Sequence, residues 1–448
     1  MIAAAARLAP ALALALVAAA CGVPELGALP ARCSDGACPE GHDCIHGVCA
    51  APGTPVPITV TRAEHLRGVD LHLIPQSGGA LAVWQTYAYS PEGQRFRAAR
   101  VTAAGEVSVA MDLVTSFVAN EGTVEPFYDV LAVSDEDLLL AVSASPLPGD
   151  ASPSARLLVY RAGLPPPGQE ARGVHFEAAW SAEERMDTAG YGAVSRPRMI
   201  LRSDRVELGY VRTRVPSAGA STEVVGELGV FQLGLDGSKL GDPVYHPVRA
   251  GHPVAVGVIS AFARGASTFW VLDDARPSAV LLQDGALPAE IQLARLGIAV
   301  DATSSSLLYL EPSKRTGDKL STDPVAGEAS LRRVDAEPSG GDPPFTFHDE
   351  VLGAVAPVRD APAPAWVSRE GRTALLVTPG AAVDAPSLVV YEVDPATGAA
   401  AEAARIERFS SARVGATEAV LVDGHLFVAW IDVTDAAVTL RMAVLPEP

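Results

Sequence analysis

Lysine is nearly absent from this 448-residue chain, which carries only Lys239, Lys314 and Lys319, so almost all positive charge is arginine. Bases are also outnumbered, 34 Lys and Arg against 53 Asp and Glu, for a net charge of −19. A field of that sign repels phosphate backbones and anionic lipid headgroups, which argues against nucleic acid as a partner and against electrostatic adsorption to membranes. The sequence has no His-Glu-x-x-His metal pair and no Gly-x-Ser-x-Gly nucleophile elbow, and its nine histidines are scattered. No metal, cofactor or catalytic residue is therefore predicted. Long helical periodicity is missing too, whereas the hydrophobic content of 48% is ample for a folded core.

The longest uninterrupted apolar run lies at the start. Arg7 precedes residues 8–20, which end in Ala18, Ala19 and Ala20. That run is shorter than the ~20 residues needed to cross a bilayer, so residues 1–20 read as a cleaved signal peptide rather than a membrane span. Cleavage removes one base and no acid, leaving 33 − 53 = −20. Val17-Ala18-Ala19-Ala20-Cys21-Gly22 resembles the lipobox of bacterial lipoproteins, whose cysteine sulfur takes a diacylglycerol and becomes the mature amino terminus. Ala18 departs from that pattern, which usually has leucine there, and cleavage after Ala20 without lipid is the alternative. Parity favours the lipid, because five cysteines are odd and removing Cys21 leaves four to pair. The resemblance implies membrane attachment through lipid. With Gly22 rather than aspartate after the cysteine, it also implies sorting to the outer membrane, on the periplasmic face or the cell surface. Residues 21–32 would be the tether.

Cys33, Cys38, Cys44 and Cys49 crowd into residues 33–50. So short a segment cannot bury enough apolar surface to fold, so covalent cross-links must replace a core, and an oxidising envelope permits them. Two disulfides are predicted, with three pairings open. A zinc site drawing on these cysteines together with His42 and His46 is the competing arrangement, but it lacks the usual Cys-x2-Cys spacing. The Cys-Pro-x-Gly-x-x-Cys core from Cys38 to Cys44 resembles the EGF-like or knot-like repeats behind the anchor of many myxobacterial lipoproteins. Pro52, Pro55 and Pro57 then mark residues 51–57 as a linker.

Residues 58–448 are predicted to be all-β, because one unit recurs: an apolar strand, a tight turn and a stronger apolar strand. Glu418-Ala-Val-Leu-Val-Asp-Gly-His-Leu-Phe-Val-Ala-Trp430 is its clearest copy, and Asp423-Gly424 is a strong hairpin signal. Val83, Leu140, Leu208, Val271, Leu308, Leu375 and Val428 occupy equivalent places, a mean period of (428 − 83)/6, or about 57.5 residues. Further strands follow most hairpins, giving four per unit. Such sheets can cover both faces only against one another, so a seven-bladed β-propeller is predicted. The last unit lacks a fourth strand, and Ile58-Thr-Val-Thr61 is spare and could close the ring. Only 37 residues separate Val271 from Leu308, which keeps a six-bladed ring or a pair of sandwiches as alternatives.

Trp84, Trp270 and Trp430 hold matching positions and could line a sugar-stacking funnel, but large aromatics on such strands mostly pack sheet against sheet. Ser134-Asp-Glu-Asp137 and Asp273-Asp274 read as solvated turns rather than calcium loops. Binding loops are expected among residues 146–156, 161–197 and 311–330 and at the channel mouth. The expected function is a cell-envelope binding or scaffold module for a protein or glycan, with a polysaccharide hydrolase or lyase as the alternative. Two carboxylates facing across the channel would favour the enzyme.

Overall fold

A computed structural model describes Cys33, Cys38 and residues 40–45, 48–50, 54–63, 66–86, 96–114, 127–144, 154–169, 173–175, 177–185, 191–214, 224–250, 257–264, 267–273, 278–283, 289–292, 298–302, 305–312, 327–339, 345–358, 364–369, 373–380, 387–408, 413–434 and 437–448. The expected signal peptide, Cys21 and the tether lie outside these residues. The chain forms two compact units, divided between Val56 and Pro57.

In the first unit Cys33 bonds to Cys44 and Cys38 to Cys49, with Cα–Cα distances of 5.9 and 5.4 Å. Strands β1 (Asp43–Ile45) and β2 (Val48–Ala50) make a two-stranded ribbon in which Cys44 stands opposite Cys49. Each bridge therefore ties one strand of the ribbon to the segment before it. The sulfurs of Cys33, Cys38 and Cys49 lie within 4.8 Å of one another. A disulfide sulfur offers no thiolate, so the zinc alternative falls.

The second unit is a seven-bladed β-propeller, and every regular element among its described residues is a strand. It opens with β3 (Ile58–Ala63). Blade 1 holds β4 (Leu66–Gln76), β5 (Gly79–Thr86), β6 (Phe96–Thr102) and β7 (Met111–Val114). Blade 2 holds β8 (Phe127–Ala132), β9 (Asp137–Ala144) and β10 (Ser154–Gly163); β11 (Gly173–His175) then crosses to pair in parallel with β7, and β12 (Glu177–Arg185) completes the sheet. In blade 3 both β13 (Tyr191–Val194) and β14 (Arg198–Leu201) pair with β15 (Val206–Arg214), followed by β16 (Val224–Leu233) and β17 (Val244–Ala250). Blade 4 is β18 (Gly257–Arg264), β19 (Ser267–Asp273), β20 (Ser278–Gln283) and β21 (Ala289–Gln292). Blade 5 is β22 (Ile298–Ala302), β23 (Ser306–Pro312), β24 (Gly327–Pro338) and β25 (Phe345–Val358). Blade 6 is β26 (Ala365–Val367), β27 (Ala374–Pro379), β28 (Ser387–Val393) and β29 (Ala400–Glu407). Blade 7 is β30 (Arg413–Val422), β31 (His425–Val433) and β32 (Val438–Pro446).

The inner strands touch in the order β4, β8, β14, β18, β22, β26, β30, and β30 returns to β4. That circle excludes the six-bladed ring and the sandwich pair. The short interval after Val271 still holds a complete four-stranded blade. Closure uses the spare amino-terminal strand as expected: β3 pairs antiparallel with β32, Ile58 opposite Met442, and supplies the fourth strand of blade 7. The turns join as well. Asp423 at φ 48° and Gly424 at φ 72° form the left-handed pair of a tight hairpin, and the Asp423 carboxylate accepts the Gly78 N–H at 3.1 Å.

The second strand of each blade lies between two neighbouring sheets, which explains its unbroken apolar run: every residue of β5 and of β27 is buried. The three strand tryptophans are core, not funnel, at 1%, 0% and 0% exposure for Trp84, Trp270 and Trp430. Their burial stabilises the ring by on the order of 4–6 kcal/mol each before entropy is counted. Trp270 packs against Gly209 of blade 3, where an added Cβ would come within 2.3 Å of the indole. Gly209 therefore sets how closely blades 3 and 4 approach. Residues 161–197 are not a plain insertion: they carry the end of β10 and all of β11, β12 and β13. Residues 146–153 and 313–326 of the other two expected loops lie outside the described residues.

Candidate functional site

The inner strands line the channel, and four successive blades each place one polar residue there. His72 comes from β4, Asp129 from β8, Arg198 from β14 and Glu418 from β30. Asp129 is buried and fully engaged. Arg198 Nη1 donates to its Oδ1 at 3.0 Å, the Met199 N–H donates to its Oδ2 at 2.6 Å, and His72 Nδ1 stands 3.5 Å from Oδ1. These contacts stitch β4, β8 and β14 together. His72 also meets the Tyr128 ring edge-on at 4.9 Å, and the Tyr128 hydroxyl donates to the Val83 carbonyl at 3.5 Å. Arg196, just before β14, rests over the Phe127 ring with its guanidinium carbon 5.3 Å from the centroid.

Glu418 behaves differently. Among the described residues no side chain or backbone group hydrogen-bonds or ion-pairs with its carboxyl, yet Arg198, Arg196 and Asp129 all act on it electrostatically. Blade 1 separates β30 from β8, so these influences come from blades that are not adjacent to blade 7. Burial dominates its chemistry: loss of hydration pushes its pKa from 4.5 up to about 7, the two arginines pull it down and Asp129 pushes it up. The result is a carboxyl that exchanges its proton near neutral pH, two blades from a carboxylate locked to arginine. Such a group can donate a proton to, or accept one from, whatever occupies the channel.

At the hairpin end of the channel β4, β26 and β30 open a groove of about 580 Å³, whose walls include Pro75, Trp366, Val420 and Glu447. Trp366 is only half-buried. Its indole N–H donates to Ser368 Oγ at 3.0 Å, and Ser368 donates to the Asp301 carboxylate. A smaller cavity of about 310 Å³ lies between blades 1 and 2, beside Arg100 and Pro165. Arg100 spans it, donating to Gln76 Oε1 at 2.9 Å and to the Pro165 carbonyl at 2.6 Å.

Sequence reasoning missed these residues. Asp129 and Glu418 are each a single acid within an apolar strand, a signal visible in the chain but common to solvated positions. Trp366 falls inside a recognised repeat unit but outside the set of matching tryptophans. The solvated turn expected at Ser134-Asp-Glu-Asp137 is a hairpin turn held by its own groups: Ser134 Oγ accepts the Asp137 N–H at 3.0 Å, and Asp137 pairs with Arg161 at 3.0 Å.

No protein-family model matches the sequence, and no curated protein is significantly similar to it. Solved structures do resemble the fold. A GH93 α-L-arabinofuranosidase of Fusarium graminearum, in complex with arabinobiose, aligns at 12% identity with a TM-score of 0.43, covering 88% of this chain and 97% of that one. An α-L-arabinanase of Penicillium chrysogenum aligns at 15% identity and 0.41, covering 88% and 99%. An acylaminoacyl peptidase of Pyrococcus horikoshii aligns at 10% and 0.45, covering 86% of this chain and 52% of its own. Likeness this distant, spread over enzymes of unrelated chemistry, carries no argument about activity.

Proposed function

We propose that the protein is an exported, lipid-anchored envelope protein, attached to the outer membrane through Cys21, whose propeller channel binds a glycan. The signal-peptide pattern and the lipobox-like residues support the address. The observation that carries the binding reading is the Glu418 carboxyl, which has no hydrogen-bond partner among the described residues and feels the charges of Asp129 and Arg198 from blades 2 and 3. A sugar hydroxyl both donates and accepts, so a polyol answers a carboxyl, an imidazole and a guanidinium together. An apolar protein segment in the same place would leave the Glu418 carboxyl unsatisfied, at about 1–3 kcal/mol. Screening the full chain against an immobilised panel of neutral and acidic oligosaccharides tests this. Binding to at least one member, weakened about tenfold or more by Glu418→Ala, is expected; a wild type that binds none of them refutes the glycan reading. Metabolic palmitate labelling that disappears in Cys21→Ala is expected for the anchor, and an unlabelled wild type refutes it.

One observation favours a second reading, hydrolysis. A carboxyl with pKa near 7 in the field of an arginine-held carboxylate suits a proton donor, because about half of it still carries a proton at neutral pH when it meets a glycosidic oxygen. Release of reducing ends from a bound oligosaccharide, abolished in Glu418→Gln while binding persists, would establish the enzyme over the binder.

A further inference from the structure

Three of the strand tryptophans disappear into the interfaces between blades, but Trp366 opens onto the groove at the hairpin end of the channel. Its ring is held in place. The indole N–H donates to Ser368, Ser368 donates to Asp301 in blade 5, and the other Asp301 oxygen accepts the Ala302 N–H at 2.8 Å. Behind it, the indole packs against the cluster that includes Leu308, Leu310 and Leu376. An aromatic plane fixed this way loses little freedom when a ligand arrives.

Among the described residues the groove offers no free cation. Arg369 is side-chain buried and spends its donors on Glu447 at 3.2 Å, Glu392 at 2.6 Å and Thr373 at 2.6 Å. An anionic ligand therefore has nothing to pair with among the described residues, and the carboxylates of Asp301 and Glu447 would repel it. A volume of about 580 Å³ lies within the ~300–1,000 Å³ usual for small-molecule sites.

We propose that Trp366 is the platform of a glycan subsite at the hairpin mouth, stacking on the C–H face of a neutral sugar ring whose hydroxyls meet Ser368 and Asp301. This rests on the channel reading and extends it. Strand β30 carries Glu418 in the channel and, in the next three residues, Ala419 to Leu421, the floor of the groove. A single oligosaccharide can therefore touch both places.

The test uses the full chain labelled with 5-fluorotryptophan, the Trp366 resonance being identified with Trp366→Phe. Cellohexaose and chitohexaose, both neutral, are titrated in and followed by fluorine NMR and calorimetry. The Trp366 signal is expected to move while those of Trp84, Trp270 and Trp430 stay. Trp366→Ala should weaken binding about tenfold or more, and Trp366→Phe much less. A hexasaccharide that binds the wild type, loses affinity in Glu418→Ala and leaves the Trp366 signal unmoved overturns the subsite alone. Failure of the wild type to bind either sugar overturns it as well, and the oligosaccharide panel then decides whether the channel reading falls with it. A Trp366 shift caused by a decaproline peptide and by neither sugar also overturns it. Because the resonance is read in the wild-type chain, the result does not depend on how well the alanine variant folds.

Discussion

Replacing Glu418 with glutamine should make the protein more stable at neutral pH and leave it unchanged in acid. Burial raises the folded-state pKa of Glu418 from 4.5 to about 7, so the folded state holds its proton more tightly than the unfolded chain does. The linked stability is fully present below pH ~4.5, where both states are protonated, and is lost as pH rises through about 7, above which the folded state must carry the charge. A shift of about 2.5 units corresponds to at most about 3.4 kcal/mol. Glu418 keeps partial access to channel water, which screens the charge, so about 1–3 kcal/mol is the expected loss. Glutamine has nearly the shape of the neutral acid and never ionises. The stability difference between Glu418→Gln and wild type should therefore be near zero at about pH 4 and grow to about 1–3 kcal/mol in favour of the variant by about pH 8. Guanidinium unfolding of both proteins at a series of pH values, followed by tryptophan fluorescence, measures it. A difference that stays flat from acid to base, or that rises with a midpoint below about pH 5, would refute the claim that the channel desolvates this carboxyl.

Two other substitutions separate fold from site. Trp430→Ala empties a fully buried indole between blades 6 and 7 and should cost about 3–5 kcal/mol; a denaturation midpoint within error of wild type would contradict that packing. Asp129→Ala leaves the Arg198 guanidinium and the Met199 N–H without their acceptor and should cost about 3–5 kcal/mol; a neutral effect in the same assay would mean that Asp129 does not join blades 2 and 3.

The architecture was legible because each blade repeats one physical constraint. A second strand pressed between two sheets must be apolar on both faces, so Leu-Ala-Val-Trp84 and Leu-Phe-Val-Ala-Trp430 announce themselves without an alignment. Asp423-Gly424 was legible because few other pairs adopt two successive positive φ angles. The closing strand could be read from arithmetic: one blade was a strand short and one β-like run, Ile58-Thr-Val-Thr61, was left over. Residues 161–197 misled because their charge and their scattered Pro and Gly look like a loop, whereas β12 gains its place by pairing along β10. Tertiary pairing overrode local composition there.

The site was not legible, for a geometric reason. An inner strand has neighbours on two sides and the channel on the third, so one polar residue per strand can face the channel without opening the core. In sequence Asp129 and Glu418 look like isolated breaks in apolar runs, His72 stands two residues from Asp70 and Arg198 merely opens its strand, and only ring closure brings position 418 near position 129. Once together, they differ in what the fold asks of them. Asp129 has every oxygen answered by the protein, so removing it should destabilise. Glu418 is answered by none of the described residues, so neutralising it should stabilise. A substitution in a polar cluster that strengthens the fold marks a group kept at a cost in stability, and groups kept at such a cost concentrate where a ligand or a reacting proton will meet them. Opposite signs for Asp129→Ala and Glu418→Gln would therefore locate the functional half of the cluster on β30, whatever the ligand proves to be.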